Sequence, residues 1–192
     1  MSILKQWKDE ARLSEEAFAR LSLFRDLILE WNPRINLTGF KDAHQIEEVL
    51  IGEAVLASRE VSLEGKTVLD FGSGAGVPGL IWGMTVPGIV LTSLEVRQKK
   101  VAFQKEVLRS TGIQAEIVCG LFPGAVSDRT FDVIATRAVR ISPGLYRDAV
   151  RLLSPGGLLL RFARSGAIES GWTSIPLSTR SSLLVRHVTG NA

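Results

Sequence analysis

"VLDFGSGAGVPG", Val68 to Gly79, decides how this chain is read. An apolar run ending in the acid Asp70 is followed by Gly72, Gly74 and Gly76 at every second position. Glycines at that density suit a backbone that turns through positive φ, or one that a ligand must approach with no side chain in between. The stretch therefore predicts a strand at 67–71, a tight loop and a helix over 79–85. Its spacing reads two ways: as Asp-x-Gly-x-Gly-x-Gly from Asp70 to Gly76, or as Gly74-x-Gly76-x-x-Gly79, the dinucleotide fingerprint. Pro78 weighs against the second, because it removes an N–H that a pyrophosphate at the helix start would use.

Outward from the loop, short apolar runs alternate with helical stretches. Strands are expected at 88–94, 115–119, 131–136 and 157–163, each nearly all apolar, as in a parallel sheet covered on both faces. Helices are expected at 97–110 and 143–153, and the turn "SPGG" (154–157) should lead into the fifth strand. This alternation predicts a doubly wound α/β sheet, with "IPLSTRSSLLVRHVTG" adding one or two edge strands. Upstream, Phe18, Leu21, Phe24, Ile28 and Trp31 recur at the period of one helix face. Ser14 followed by Glu15 and Glu16 suits the start of that helix, and Pro33 is expected to stop it. A second helix should cover 43–58. These patterns divide the chain into a helical N-terminal extension (1–62) and an α/β core (63–192) forming one globular unit.

A chain of 192 residues, 45% of them hydrophobic, can bury one good core. Its single cysteine, Cys119, excludes a disulfide framework and a Cys-rich zinc site, fits a reducing cytoplasm, and is expected to be buried at a strand end. Lys5, Lys8, Asp9 and Glu10 leave no room for a signal-peptide core, and no transmembrane span is expected. His44 and His187 stand far apart with no ligand cluster around them, so surface or packing roles are expected. The net charge of +3 is small, but it is concentrated. Arg97, Lys99, Lys100, Lys105 and Arg109 oppose Glu106 in one stretch, and five arginines oppose two acids from Arg129 to Arg151. Both stretches could face phosphates.

The spacing from Asp70 to Gly76 resembles the first motif of class I S-adenosylmethionine-dependent methyltransferases, whose acid lies near the methionine end of the cofactor. Glu95, ending the second strand, could accept hydrogen bonds from both ribose hydroxyls, in a methyltransferase or an NAD enzyme alike. "CGLFPG" (119–124) would pass the adenine. A narrower resemblance rests on "WNPRINLTGFKD", the glycine loop, "LTSLEVRQKKVAFQKEV" and "FDVIATRAV". In this order, from about Trp31 to Gly166, they resemble the glucose-inhibited division protein B family, bacterial small-subunit ribosomal RNA guanine-N7 methyltransferases. The resemblance implies a class I methyltransferase fold, Rossmann-like and doubly wound. It implies S-adenosylmethionine bound by Asp70, Gly72, Ser73, Gly74, Gly76, Pro78, Glu95 and Arg137. It also implies ribosomal RNA or the small-subunit particle as partner, no metal, no membrane, and a monomer in the cytoplasm.

Residue by residue, Asn36, Leu37 and Thr38 match the family's loop beside the active site. Lys99 matches a family lysine, Lys100 stands where the family usually has arginine, and Phe103 fits a recurring aromatic. Arg137 matches the arginine after the fourth strand, a planar donor for the target nucleotide or its phosphate. The chain also departs from the family. Val49-Leu50 replaces Arg-His, Glu53-Ala54 replaces Asp-Ser, and Arg164 stands nearest the family's lysine after the fifth strand. Guanine N7 has a free lone pair and no proton to remove, so positioning by Arg137, Arg164 and Asn36 would supply the catalysis. Two other classes stay open: a methyltransferase of a small molecule or protein, and a non-catalytic RNA- or nucleotide-binding relative.

Overall fold

The computed structural model describes residues 2–9 and 13–188; Glu10 and the final Thr189–Gly190 of the last expected segment lie outside them. Seven strands form one sheet: β1 (Thr67–Phe71), β2 (Val90–Glu95), β3 (Glu116–Cys119), β4 (Phe131–Arg137), β5 (Leu153–Arg164), β6 (Thr173–Pro176) and β7 (Ser181–His187). Their order is β3-β2-β1-β4-β5-β7-β6. The first five strands run parallel, and β7 pairs antiparallel with β5 and β6. Among the described residues the α-helices are α1 (Ile3–Asp9), α2 (Glu15–Ile35), α3 (Ala43–Gln45), α4 (Glu53–Glu60), α5 (Gly79–Thr85), α6 (Gln98–Thr111) and α7 (Pro143–Arg151), with a π-helical segment Ile46–Gly52 joining α3 to α4. The strand order reverses between β1 and β4, and a doubly wound sheet opens its binding crevice at that reversal, beyond the carboxyl ends of the strands.

Ser14 caps α2 as its sequence predicts, accepting a hydrogen bond from the Ala17 N–H at 3.1 Å. Pro33 does not stop the helix, which runs on to Ile35 and closes at Asn36 in the left-handed conformation. Proline so near the end removes one backbone bond, and packing of Ile35 against the core holds the last turn. Helices α1, α2 and α4 and the π-helical segment share the larger hydrophobic cluster with α5, α6 and one face of the sheet. Trp82 pins this arrangement, its fully buried indole N–H donating to the Ala54 carbonyl at 2.8 Å.

The "SPGG" turn lies inside β5. Phe131 pairs with Leu153 and Val133 with Leu158, so Ser154–Gly157 bulges out of the ladder. Only β6 is an edge strand among the two late ones, because β7 sits between β5 and β6. Cys119 is exposed, contrary to expectation: it ends β3, itself an outer strand with no neighbour to cover it. No helix among the described residues is long and apolar enough to cross a membrane, and none of their His, Cys, Asp and Glu side chains cluster in groups of three fit to hold a metal.

Candidate active site

The glycine loop leaves β1 at the reversal point and is tied down from both sides. Glu95, buried at the end of β2, accepts from the Gly74 N–H with Oε2 at 2.8 Å and from the Arg97 N–H with Oε1 at 2.9 Å. One lone pair on each oxygen remains. Gln104 on α6, fully buried, donates from Nε2 to Ser73 Oγ at 2.8 Å and to the Gly74 carbonyl at 2.9 Å. Its Oε1 accepts from Ser93 Oγ at 2.7 Å. Sequence reasoning missed Gln104. A glutamine on the buried stripe of an amphipathic helix, facing a Ser-Gly loop, was the available signal.

The three glycines do different work. A Cβ on Gly76 would sit 2.3 Å from Leu80, so this glycine serves packing inside the first turn of α5. One on Gly72 would sit 2.5 Å from Val139, where the loop after β4 closes over it. Gly74, at φ +60°, is the bare one: a Cβ there would meet nothing nearer than Lys100 Nζ at 3.7 Å and would jut into open space. Gly74 is thus the one glycine of the three whose Cβ position is clear of close packing.

Asp70 lies beneath the loop, fully buried, and accepts from the Gly79 N–H with Oδ2 at 2.8 Å, while Oδ1 has no partner. Burial pushes its carboxyl up to about 7; the Gly79 N–H lowers it, the Glu95 charge raises it further and the Arg137 charge lowers it. Gly79 cannot be larger, since a Cβ would lie 2.9 Å from the same carboxyl oxygen.

These pieces open onto a cavity of about 620 Å³, lined among others by Gly72, Ser73, Gly74, Glu95, Lys100 and Arg137. Leu37, Thr38 and Phe40 of the loop after α2, and Leu50 of the π-helical segment, form the facing wall. Arg137 donates from Nη2 to Glu53 Oε2 at 2.6 Å, and its guanidinium stands 5.0 Å from the Phe162 ring. Glu53 is 2% exposed and also accepts from Ser178 Oγ at 2.9 Å. Arg137 Nη1 is buried and unpartnered, a donor left over in a residue of the cavity wall.

The other predicted residues divide. Asn36 caps α2 and lines a neighbouring cavity of about 390 Å³, which shares Thr38 and Gly39 with the main one. The loop is shaped instead by Asn32, which donates to the Phe40 carbonyl and accepts from the Thr38 N–H, each at 2.9 Å. Pro78 and Gly76 are buried behind the loop, outside the lining. Arg164 is exposed at the end of β5, and Lys99 is exposed on α6; neither lines the cavity. Phe103 is a core residue, its ring 6.3 Å from Phe24 and 5.7 Å from Trp31. No residue of "CGLFPG" reaches the cavity, and Phe122 stacks on Phe71 at 4.4 Å. A second cavity of about 450 Å³, with Lys66, Asp132 and His187 in its lining, lies at the amino ends of β1 and β4.

Comparison with known proteins follows the same lines. The family described as rRNA small subunit methyltransferase G matches residues 17–168. A relative from Syntrophobacter fumaroxidans, named ribosomal RNA small subunit methyltransferase G 1, is 36% identical over 170 residues, 81% of this chain and 76% of its own. Ribosomal RNA small subunit methyltransferase G of Neisseria meningitidis serogroup B is 34% identical over 148 residues, 76% of this chain and 70% of its own. Among solved structures, a methyltransferase from Pyrococcus furiosus has the same fold at TM-score 0.60 and 16% identity, covering 88% of this chain and 96% of its own. An S-adenosylmethionine-dependent methyltransferase from Thiobacillus denitrificans, solved with S-adenosyl-L-homocysteine, aligns at TM-score 0.51 and 25% identity over 66% of this chain and 51% of its own.

Proposed function

The chain belongs to the rRNA small subunit methyltransferase G family, and from that premise we propose that it methylates N7 of a guanine in 16S ribosomal RNA with S-adenosylmethionine as donor. One observation carries the reading: bare Gly74 and the anchored Glu95 carboxylate share a cavity with Arg137 at the strand-order reversal. The cavity fits the cofactor. Gly74 offers a cradle that a Cβ would fill, and Glu95 keeps lone pairs for ribose hydroxyls.

When bound, S-adenosylmethionine supplies a methyl on a positively charged sulfur, open to attack by a nitrogen lone pair. Glu95 holds the ribose and the loop together, so that the loop's shape and the ligand's seat depend on one carboxylate. Lys100 and Arg97 bring positive charge to the mouth. Arg137 presents the open part of its guanidinium to the target nucleotide or its phosphate, while Nη2 stays on Glu53 and fixes the plane of the fork. Leu37 and Leu50 keep water from the facing wall. No acid or base is required at N7, so this holding in place is the chain's main contribution to the rate. Asn36 and Arg164, outside the lining, take part only from the rim.

The test is methyl incorporation from labelled S-adenosylmethionine into small-subunit RNA from a strain lacking its own guanine-N7 enzyme. Incorporation at a guanine N7 is the expected result. Cofactor binding with no incorporation would sink the RNA reading and favour a small-molecule methyltransferase, to which the apolar Leu50 in the lining is suited.

A further inference from the structure

In a parallel sheet, each crossover lays a helix over the strands. After β5 the chain returns through antiparallel strands, so on the α7 side of β5 and β7 side chains must do the covering. Residues two apart on a strand share a face, and Leu159, which belongs to the cluster under α7, shares its face with Arg161. Arg186 on β7 is the partner of Leu159, and Leu184 that of Arg161, so both arginines project from this face. The Arg161 guanidinium stands 5.8 Å from the Trp172 ring and that of Arg186 4.8 Å from Tyr146. With Arg140 and Arg147 they line a groove of about 530 Å³.

Glu169 is the one acid in that lining, and it pairs with Arg161. Among the described residues no carboxylate pairs with Arg140, Arg147 or Arg186, and Arg161 Nε is buried without a partner. Gathering four guanidinium groups against one carboxylate raises their mutual repulsion, which an anionic ligand would relieve. The start of α7, at Ser142 and Pro143 in the same lining, adds the positive end of a nine-residue helix. The groove takes up the chain where the cavity leaves it: Arg137, Ala138 and Val139 line the cavity, and the next residues, Arg140 to Pro143, line the groove.

We propose that this groove holds the RNA strand flanking the target nucleotide, with the arginines on its phosphates and Trp172 and Tyr146 beside its bases. A planar guanidinium matches a phosphate with two donors, and aromatic and guanidinium planes stack unpaired bases whatever their sequence. The inference rests on the RNA reading of the active site and adds the path the strand takes away from it.

The test compares wild type with Arg140→Glu/Arg147→Glu and with Trp172→Ala. The measurements are the KM for small-subunit RNA, the affinity for a labelled single-stranded RNA across a salt series, and calorimetric affinity for S-adenosylmethionine. The charge-reversed variant should raise KM about tenfold or more and flatten the salt dependence by about 0.7 for each phosphate it no longer neutralises, with cofactor affinity unchanged. Trp172→Ala should weaken single-stranded RNA about fivefold or more and leave duplex binding alone. An RNA KM within about twofold of wild type in both variants overturns the groove while leaving the methyltransferase reading in place. If wild type transfers no methyl to RNA, labelled-RNA binding decides: weaker binding by the charge-reversed variant upholds the groove, and equal binding removes it. Polyglutamate competing with the labelled RNA as well as unlabelled RNA does would make it a protein-docking face and overturn the proposal.

Discussion

The two walls of the active-site cavity are assembled on different scales. The glycine-loop wall is held by bonds between residues 9 to 31 positions apart, from Asp70 to Gln104. The wall at Arg137 depends on that arginine meeting Glu53, 84 positions earlier, and on Ser178 reaching Glu53 across 125 positions. The first wall forms with one strand-loop-helix unit and its neighbour. The second exists only when the N-terminal helices and the late strands have both docked on the sheet. Of the departures from the family's usual residues, Leu50 lines the cavity and Glu53 holds Arg137 from behind it, whereas Val49, Ala54 and Arg164 lie outside the lining. On the function proposed above, local construction goes with the general part of the chemistry, holding a cofactor, and distant construction with the particular part, choosing what receives the methyl.

Four measurements test that division. Gly74→Val should abolish cofactor binding in calorimetry, because a branched side chain fills the cradle, while positive φ adds about 1–2 kcal/mol of strain. Retained binding would show that the bare backbone is not the seat. Arg137→Ala should lower methyl transfer about a hundredfold or more with cofactor affinity nearly unchanged, since its proposed partner is the nucleotide. It also strands a buried carboxylate, at a cost of about 3–5 kcal/mol. Adding Glu53→Gln should restore much of the stability by urea unfolding and none of the transfer. Recovery of both would reduce Arg137 to a structural residue.

Glu95→Gln should weaken S-adenosylmethionine by about 1–3 kcal/mol, because the new amide group faces one of two backbone N–H donors and loosens the loop. An unchanged affinity removes Glu95 from the site. The last test, at Asp70, reads stability and not binding. Its folded carboxyl keeps a proton up to about pH 7, whereas the unfolded chain releases it at the ordinary value. The folded state then binds more protons, so stability falls as pH rises, by about 1 kcal/mol per unit between roughly pH 4 and 7. Asp70→Asn should remove that slope in urea titrations at pH 5 and 7, and an identical slope would assign it elsewhere.

How much could be read from the sequence follows the same division. The strand-loop-helix from Thr67 to Thr85 emerges almost residue for residue, because glycine and apolar patterning act locally. The parallel sheet and the S-adenosylmethionine class follow from alternation and the Asp70–Gly76 spacing. Pro33 misled because a proline's cost can be met by packing elsewhere, and Cys119 because strand order, invisible in the sequence, places β3 at the rim. Gln104 and Asn32 were overlooked because their importance comes from orphan backbone groups on loops they meet only after folding. The Arg137–Glu53–Ser178 chain had no local signal at all.

Trp82 gives the molecule a built-in magnetic-resonance gauge. Its indole N–H is committed to the carbonyl of Ala54, one residue from Glu53 and one turn from Leu50. An indole proton in that bond resonates apart from those of the other three tryptophans and exchanges slowly with solvent. Any rigid shift of α4, which carries Glu53 and follows the π-helical segment of Leu50, against α5 must stretch that one bond. Adding cofactor and then RNA while watching a single line therefore separates a wall that is already in place from one that closes around its nucleotide.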